Sequence, residues 1–104
     1  MGAFGSWMNG DIAAGQNRSS AVDVGSEYDY LVLLIPGLDK CKLWLEVAEQ
    51  ENSTYYTLGK DTTTDEETFN RADVWRLGGF KFFKIVSSVA QSAARTIRLR
   101  GWRT

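Results

Sequence analysis

A chain of 104 residues, 43% hydrophobic and 24% charged with a net charge of -1, has room for one core and not two. That balance excludes global disorder. With no histidine and a lone cysteine, Cys41, it also excludes Ser-His-Asp and Cys-His catalysis, imidazole ligation, clustered-thiolate zinc and an internal disulfide.

The first seventeen residues space Gly2, Gly5, Gly10 and Gly15 among Phe4, Trp7 and Met8. Glycine at this density resists regular structure, so residues 1–17 read as a flexible N-terminal arm ahead of a single domain at 18–104. A free tail has no use for three large apolar side chains. The arm therefore either docks on its own domain or reaches a neighbouring subunit. Met1–Gly15 carries neither a basic n-region nor a continuous apolar run, and no stretch of the chain approaches a membrane span. The expectation is a soluble protein made in the cytoplasm, with no membrane partner.

Ser19–Val24 reads as a short edge strand that turns Ser20, Val22 and Val24 to one face. Tyr28–Ile35 is a near-continuous apolar run stopped by Pro36-Gly37, which predicts a strand buried on both faces. Cys41–Ala48 alternates, with Cys41, Leu43, Leu45 and Val47 to the core and Lys42, Trp44 and Glu46 opposite. A polar turn at Glu49–Ser53 precedes a strand marked by Tyr55, Tyr56 and Leu58. A polar loop, Gly59–Glu67, follows, and then a short ordered piece from Phe69 to Leu77, one helical turn and a strand. Phe80–Ser87 and Arg95–Gly101 alternate about a small polar linker and read as a closing β-hairpin, with Phe83, Ile85, Ile97 and Leu99 on the core side. Lys81, Arg98 and Arg100 project the other way. The fold class is all-β: a two-layer antiparallel β-sandwich, jelly-roll-like, of about seven to eight strands.

Six phrases in this order resemble small β-sandwich virion-associated proteins of tailed bacteriophages. They are Ser20-Ala-Val-Asp-Val-Gly25, Leu33-Leu-Ile-Pro-Gly37, Leu43-Trp-Leu-Glu-Val47, Thr54-Tyr-Tyr-Thr-Leu58, Gly79-Phe-Lys-Phe-Phe-Lys-Ile-Val-Ser87 and Ala90-Gln-Ser-Ala-Ala-Arg-Thr-Ile97. Together they span most of residues 18–100. The glycine-rich arm and the Gly101-Trp-Arg-Thr104 tail depart from the pattern. The resemblance implies a virion location, no enzyme chemistry and no cofactor. It implies capsid decoration (cement), with a head–tail connector, neck or tail component as the alternative, and partners among the major capsid protein and neighbouring virion proteins. A homo-oligomer, a trimer or a ring, goes with that role.

Other chemistries fit the residues less well. Asp61, Asp65, Glu66 and Glu67 offer oxygen ligands for a cation, without EF-hand order. Trp44, Tyr55, Tyr56, Trp75 and Trp102 could serve a carbohydrate-binding module, although a sandwich this small needs aromatics for packing and interfaces. Charge is uneven along the chain. Residues 1–70 hold four Lys/Arg against twelve Asp/Glu, whereas 71–104 hold eight against Asp73 alone. Lys81, Lys84, Arg95, Arg98 and Arg100 beside Phe80 and Phe82 thus imitate a single-strand nucleic-acid binder, yet the pI near 5.3 argues against nucleic acid. Glu46 and Glu49 form no catalytic pair with an implied cleft. Protein–protein contact is the favoured reading, and the candidate contact residues are Phe4, Trp7, Met8, Trp44, Arg98, Arg100 and Trp102. Arg76 suits the rim of such an interface.

Overall fold

The computed structural model describes residues 3–59 and 68–104, and every regular element among them is a strand. In chain order these are β1 (Ala3–Phe4), β2 (Met8–Ile12), β3 (Val22–Asp23), β4 (Tyr30–Ile35), β5 (Leu43–Ala48), β6 (Tyr56–Thr57), β7 (Arg71–Arg76), β8 (Phe82–Ser87) and β9 (Arg95–Arg103). One sheet runs β1/β2, β9, β4, β7 and the other β3, β8, β5, β6, with every pairing antiparallel. Setting β1 aside, that order is the jelly roll: β2 to β9 wind between two four-strand layers, and only β5 and β6 are joined as neighbours within a sheet.

The two layers close on the residues that alternation assigns to the core. Leu31, Leu33 and Ile35 from β4 and Ile97 and Leu99 from β9 meet Leu43, Leu45 and Val47 from β5 and Phe83 and Ile85 from β8. All are essentially excluded from water. Each such side chain contributes about 1.5–3 kcal/mol of burial, which makes this interior the main source of cohesion.

Four expectations need correction. Phe80–Ser87 and Arg95–Gly101 do not form a hairpin: β8 pairs with β3 and β5, and β9 with β2 and β4. Their linker crosses between sheets. Alternation with period two fixes which face of a strand is buried, and two strands facing each other across the core satisfy it as well as two paired strands do. Secondly, the described residues 68–70 form no helical turn ahead of β7; Phe69 is exposed and the chain enters the strand from there directly. Thirdly, Ser19 rather than Ser20 turns inward with Val22 and Val24, because the Ser19 hydroxyl accepts the Ile85 N–H at 2.9 Å. The fourth concerns β4. It lies between β9 and β7, but among the described residues its second face is not buried: Tyr30 and Val32 are half-buried and Leu34 is exposed.

Residues 3–12 follow the docked alternative for the N-terminal segment. β2 pairs with Arg95–Leu99, β1 pairs with Trp102 and Arg103, and Ile12 is fully buried in the core. Between the two strands Gly5, Ser6 and Trp7 stand opposite Arg100 and Gly101 alone, which is the count of a β-bulge. Gly10 passes so close to Ile85 and Leu99 that a side chain would collide with the Ile85 Cδ1, 2.8 Å from an added Cβ. The spacing of large apolar residues between glycines is therefore a strand pattern with one bulge.

Candidate functional site

The outer face of the five-stranded sheet follows from that register. Thr96, Arg98, Arg100 and Trp102 alternate with the buried residues of β9. Across from them on β4 lie Leu34 beside Arg98, Val32 beside Arg100, and Tyr30 beside Trp102. β7 adds Ala72 beside Leu34, Val74 beside Val32, and Arg76 beside Tyr30. Asn9 and Asp11 of β2 flank Arg98 and Thr96. At its middle the face is aliphatic, with Leu34 46% and Val74 52% exposed. Antiparallel strands that face water on one side ordinarily alternate apolar with polar residues; β9 does and β4 does not. Apolar patches of this kind mark interaction sites.

The bulge gives the face its second feature. It brings Phe4 and Trp7 against the guanidinium of Arg100, with Cζ 4.2 Å from the Phe4 ring centre and 4.7 Å from that of Trp7. The Phe4 ring stacks on Trp102 at 6.0 Å, and Trp102 lies 5.1 Å from Tyr30. Tyr30, Trp102, Phe4, Arg100 and Trp7 thus form one continuous run of flat groups. Phe4 (54%) and Trp7 (37%) remain exposed within it. Each cation–π contact at an exposed site contributes on the order of 0.5–1 kcal/mol, so the two together bias the arginine towards this rotamer. Arg98 is held separately, Nη1 donating to Asn9 Oδ1 at 2.8 Å.

Of the seven candidate contact residues, Phe4, Trp7, Arg98, Arg100 and Trp102 meet on this face. Met8 does not: its register partner is Leu99 and it packs partly buried against the core. Trp44 sits on the outer side of the other sheet, half-buried opposite Val86. Tyr30, Val32, Leu34, Ala72 and Val74 complete the face and were not singled out from sequence. The signal for the first three was present in β4, whose apolar run has no polar alternation.

The remaining groups are apart from this face. The nucleic-acid pattern is divided, with Lys84 on the four-stranded sheet and Arg98 and Arg100 on the five-stranded one. Trp75 is buried, donating its Nε1–H to Asp73 at 3.0 Å, and Tyr55 lies under the Lys84 ammonium at 4.4 Å. The sugar-platform aromatics therefore do not converge. Burial pushes the Tyr55 phenol up from its ordinary value. The acidic cluster Asp61–Glu67 lies outside the described residues. Among the described residues no three acidic or thiol groups come together as a metal site.

Two polar assemblies hold loops and strands in place. Arg18 forks onto Glu46 through Nε to Oε1 (2.8 Å) and Nη2 to Oε2 (2.9 Å). Hydrogen bonding from Arg18 holds the Glu46 carboxyl below its ordinary range, and the same pairing raises Arg18. At one end of the sandwich the buried Gln91 side chain accepts the Asp39 N–H (2.9 Å) and the Arg95 Nε–H (3.3 Å) and donates to Ser87 Oγ (3.1 Å). Asp39 in turn accepts the Ser92 N–H at 2.6 Å and Arg95 Nη2–H at 2.9 Å. The Ser92 backbone bond is the chief reason its carboxyl is lowered, with Ser92 Oγ and Arg95 adding to it. The Ser87, Gln91 and Arg95 spacing is thus a staple that pins the β8–β9 crossover to the β4–β5 loop.

No protein-family model matches the chain, and no curated protein matches it in sequence. Among solved structures, the protein YomS derived from the SPBc2 prophage is similar over 98% of this chain and 95% of its own, at 15% identity and a TM-score of 0.62. The two share a fold. A chain of the cyanophage Pam1 capsid asymmetric unit matches over 97% of this chain and 84% of its own, at 13% identity and a TM-score of 0.44. A chain described as CpGH89CBM32-4 from Clostridium perfringens, in complex with GlcNAc-α-1,4-galactose, matches over 82% of this chain and 67% of its own, at 16% identity and a TM-score of 0.46.

Proposed function

We propose that this chain is a non-enzymatic structural protein of a tailed-phage virion, a capsid decoration protein that stabilises the head through protein–protein contacts. The observation that carries the reading is the outer face of the five-stranded sheet. A central strand of the fold presents Leu34 to water and its neighbour β7 presents Val74, bordered by a stacked aromatic run. Isolated in solution such a surface is a liability; in an assembly it is a contact. The shared fold with a prophage-derived protein, and the six-phrase resemblance to phage β-sandwich proteins, support the same setting. A trimer or ring about a particle axis belongs to this proposal, formed through heterologous contacts elsewhere on the molecule.

The test is particle survival. Phage particles grown without the chain lose infectivity faster on warming than complete particles, and adding the purified protein restores them. Equal survival with and without the chain refutes decoration.

A further inference from the structure

Arg100 is a cation on the candidate face that is held by stacking and left without a polar partner. Its guanidinium rests against Phe4 and Trp7 and has no hydrogen-bond or ion-pair partner among the described residues. Nε is enclosed without a partner, whereas the two terminal nitrogens are not enclosed. An arginine fixed by stacking, with the end of its fork open, is preorganised to receive a carboxylate through two parallel N–H···O bonds. Part of the rotamer entropy that such a bond ordinarily costs is already lost in the free protein.

The charge around it selects the occupant. Among the described residues the outer face carries Arg76, Arg98 and Arg100 against Asp11, whose Oδ1 accepts the Thr96 hydroxyl at 2.8 Å. A second copy docked through the same face would set arginine against arginine. Among the described residues the outer side of the other sheet offers no complement either: it carries Arg18, Lys42 and Lys84 against Asp23 and Glu46, and Arg18 already occupies Glu46. The face thus selects an acidic surface and disfavours a second copy stacked sheet to sheet.

Resting on the virion reading, we infer that this face docks on an acidic, aliphatic-edged surface of a neighbouring virion protein, with an Asp or Glu carboxylate of that protein seated on the Arg100 fork. Leu34, Val32 and Val74 supply the apolar contact beside it. Phe4, Trp7 and Trp102 exclude water around the ion pair, which is how the energetically dominant contacts of an interface are arranged.

Zero-length coupling tests this. A carbodiimide joins an amine to a carboxylate in direct contact, so the phage is engineered to encode R100K. A second line encodes R76K, at an exposed position on the rim of the same face, so that the test does not depend on the stacked site alone, and a third encodes K84R on the opposite sheet as a control. Purified particles are treated and the links mapped by mass spectrometry. The inference predicts links from positions 100 and 76 to Asp or Glu of another particle protein, with native Lys84 on the opposite sheet uncoupled. Exclusion of R100K from particles that accept K84R, with the melting temperature of purified R100K unchanged, supports the fork itself. Coupling of Lys84 with none at 100 or 76 overturns the inference and leaves the virion role standing. Links from position 100 to a second copy of the chain also overturn it. Absence of the wild-type chain from particles overturns the virion reading and this inference together.

Discussion

Gly101 sits at the point where the bulge, the sheet and the candidate face meet, so its replacement by alanine tests the structure and the site at once. A Cβ at Gly101 would fall within the Tyr28 ring, and one at Gly5 would lie 2.7 Å from the Tyr28 hydroxyl oxygen. Gly5 N–H in turn donates to the Gly101 carbonyl at 2.9 Å. Gly101 has ordinary extended backbone, so alanine restricts the unfolded chain and on that ground alone stabilises by about 0.4–1 kcal/mol. Forcing a methyl into a packed ring costs about 1–3 kcal/mol, and the clash is with ring carbons rather than a flexible tip, so the penalty wins. The net loss is about 1–2 kcal/mol, a fall in melting temperature of roughly 4–16 °C for a domain of this size. Thermal unfolding followed by circular dichroism measures it. Y28A, which removes the ring, makes the alanine at 101 harmless, so the double-mutant cycle shows coupling of opposite sign to the G101A loss. G101A melting at or above wild type refutes the packing of Tyr28 beneath the bulge, and with it the placement of Phe4 and Trp7 around Arg100.

Other substitutions probe the rest of the molecule. I97D and L45D each place an unpaired charge at a fully buried position, a cost of several kcal/mol against a typical total of about 5–15 kcal/mol, and abolish folding by circular dichroism; a soluble, cooperatively melting variant contradicts the core. Removal of residues 1–12 deletes Ile12 and uncovers β9, which costs at least the ~2–5 kcal/mol of a lost core isoleucine and leaves an open edge. Urea titration and light scattering detect the loss, and an undiminished midpoint contradicts the docking of β2. Asp39 is lowered in the fold by the Ser92 and Arg95 contacts, so it stabilises above the ordinary carboxylate range and that contribution disappears as pH falls through its folded value. D39N therefore lowers stability at neutral pH and flattens the acid limb of the stability profile; an unchanged acid limb refutes the network.

Much of this architecture was legible in the sequence, and what was hidden was hidden for a physical reason. Alternation in Cys41–Ala48 gave the buried face of β5 residue by residue, because a strand has period two whatever its neighbours are. The same property concealed the jelly roll. Phe83 and Ile85 satisfy the pattern equally as paired neighbours of Ile97 and Leu99 and as residues facing them across the core. Pairings such as Gly10 with Ile97 join the two ends of the chain, and no local signal specifies them. Glycines in residues 1–15 suggested freedom, whereas Gly5 and Gly10 are there because Tyr28 and Ile85 leave no space for a side chain. For the candidate site, Phe4, Trp7, Arg98, Arg100 and Trp102 were chosen as large groups that an isolated tail or surface does not need, and the register assembled them. Met8 was misplaced because the bulge at Gly5–Trp7 turns it inward. The aliphatic half of the site lay in plain view in Tyr30–Ile35. A strand apolar on both sides reads as doubly buried, but the described residues bury one side and leave the other half-buried to exposed.

The central claim is that this jelly roll works as a repeated part of a phage particle, and quantitative mass spectrometry of purified particles tests it most directly, scaling the chain against the major capsid protein. The account predicts a copy number of the same order as the capsid protein's. A number matching a single small ring would move the protein to the neck or tail, and its absence from particles would contradict the account.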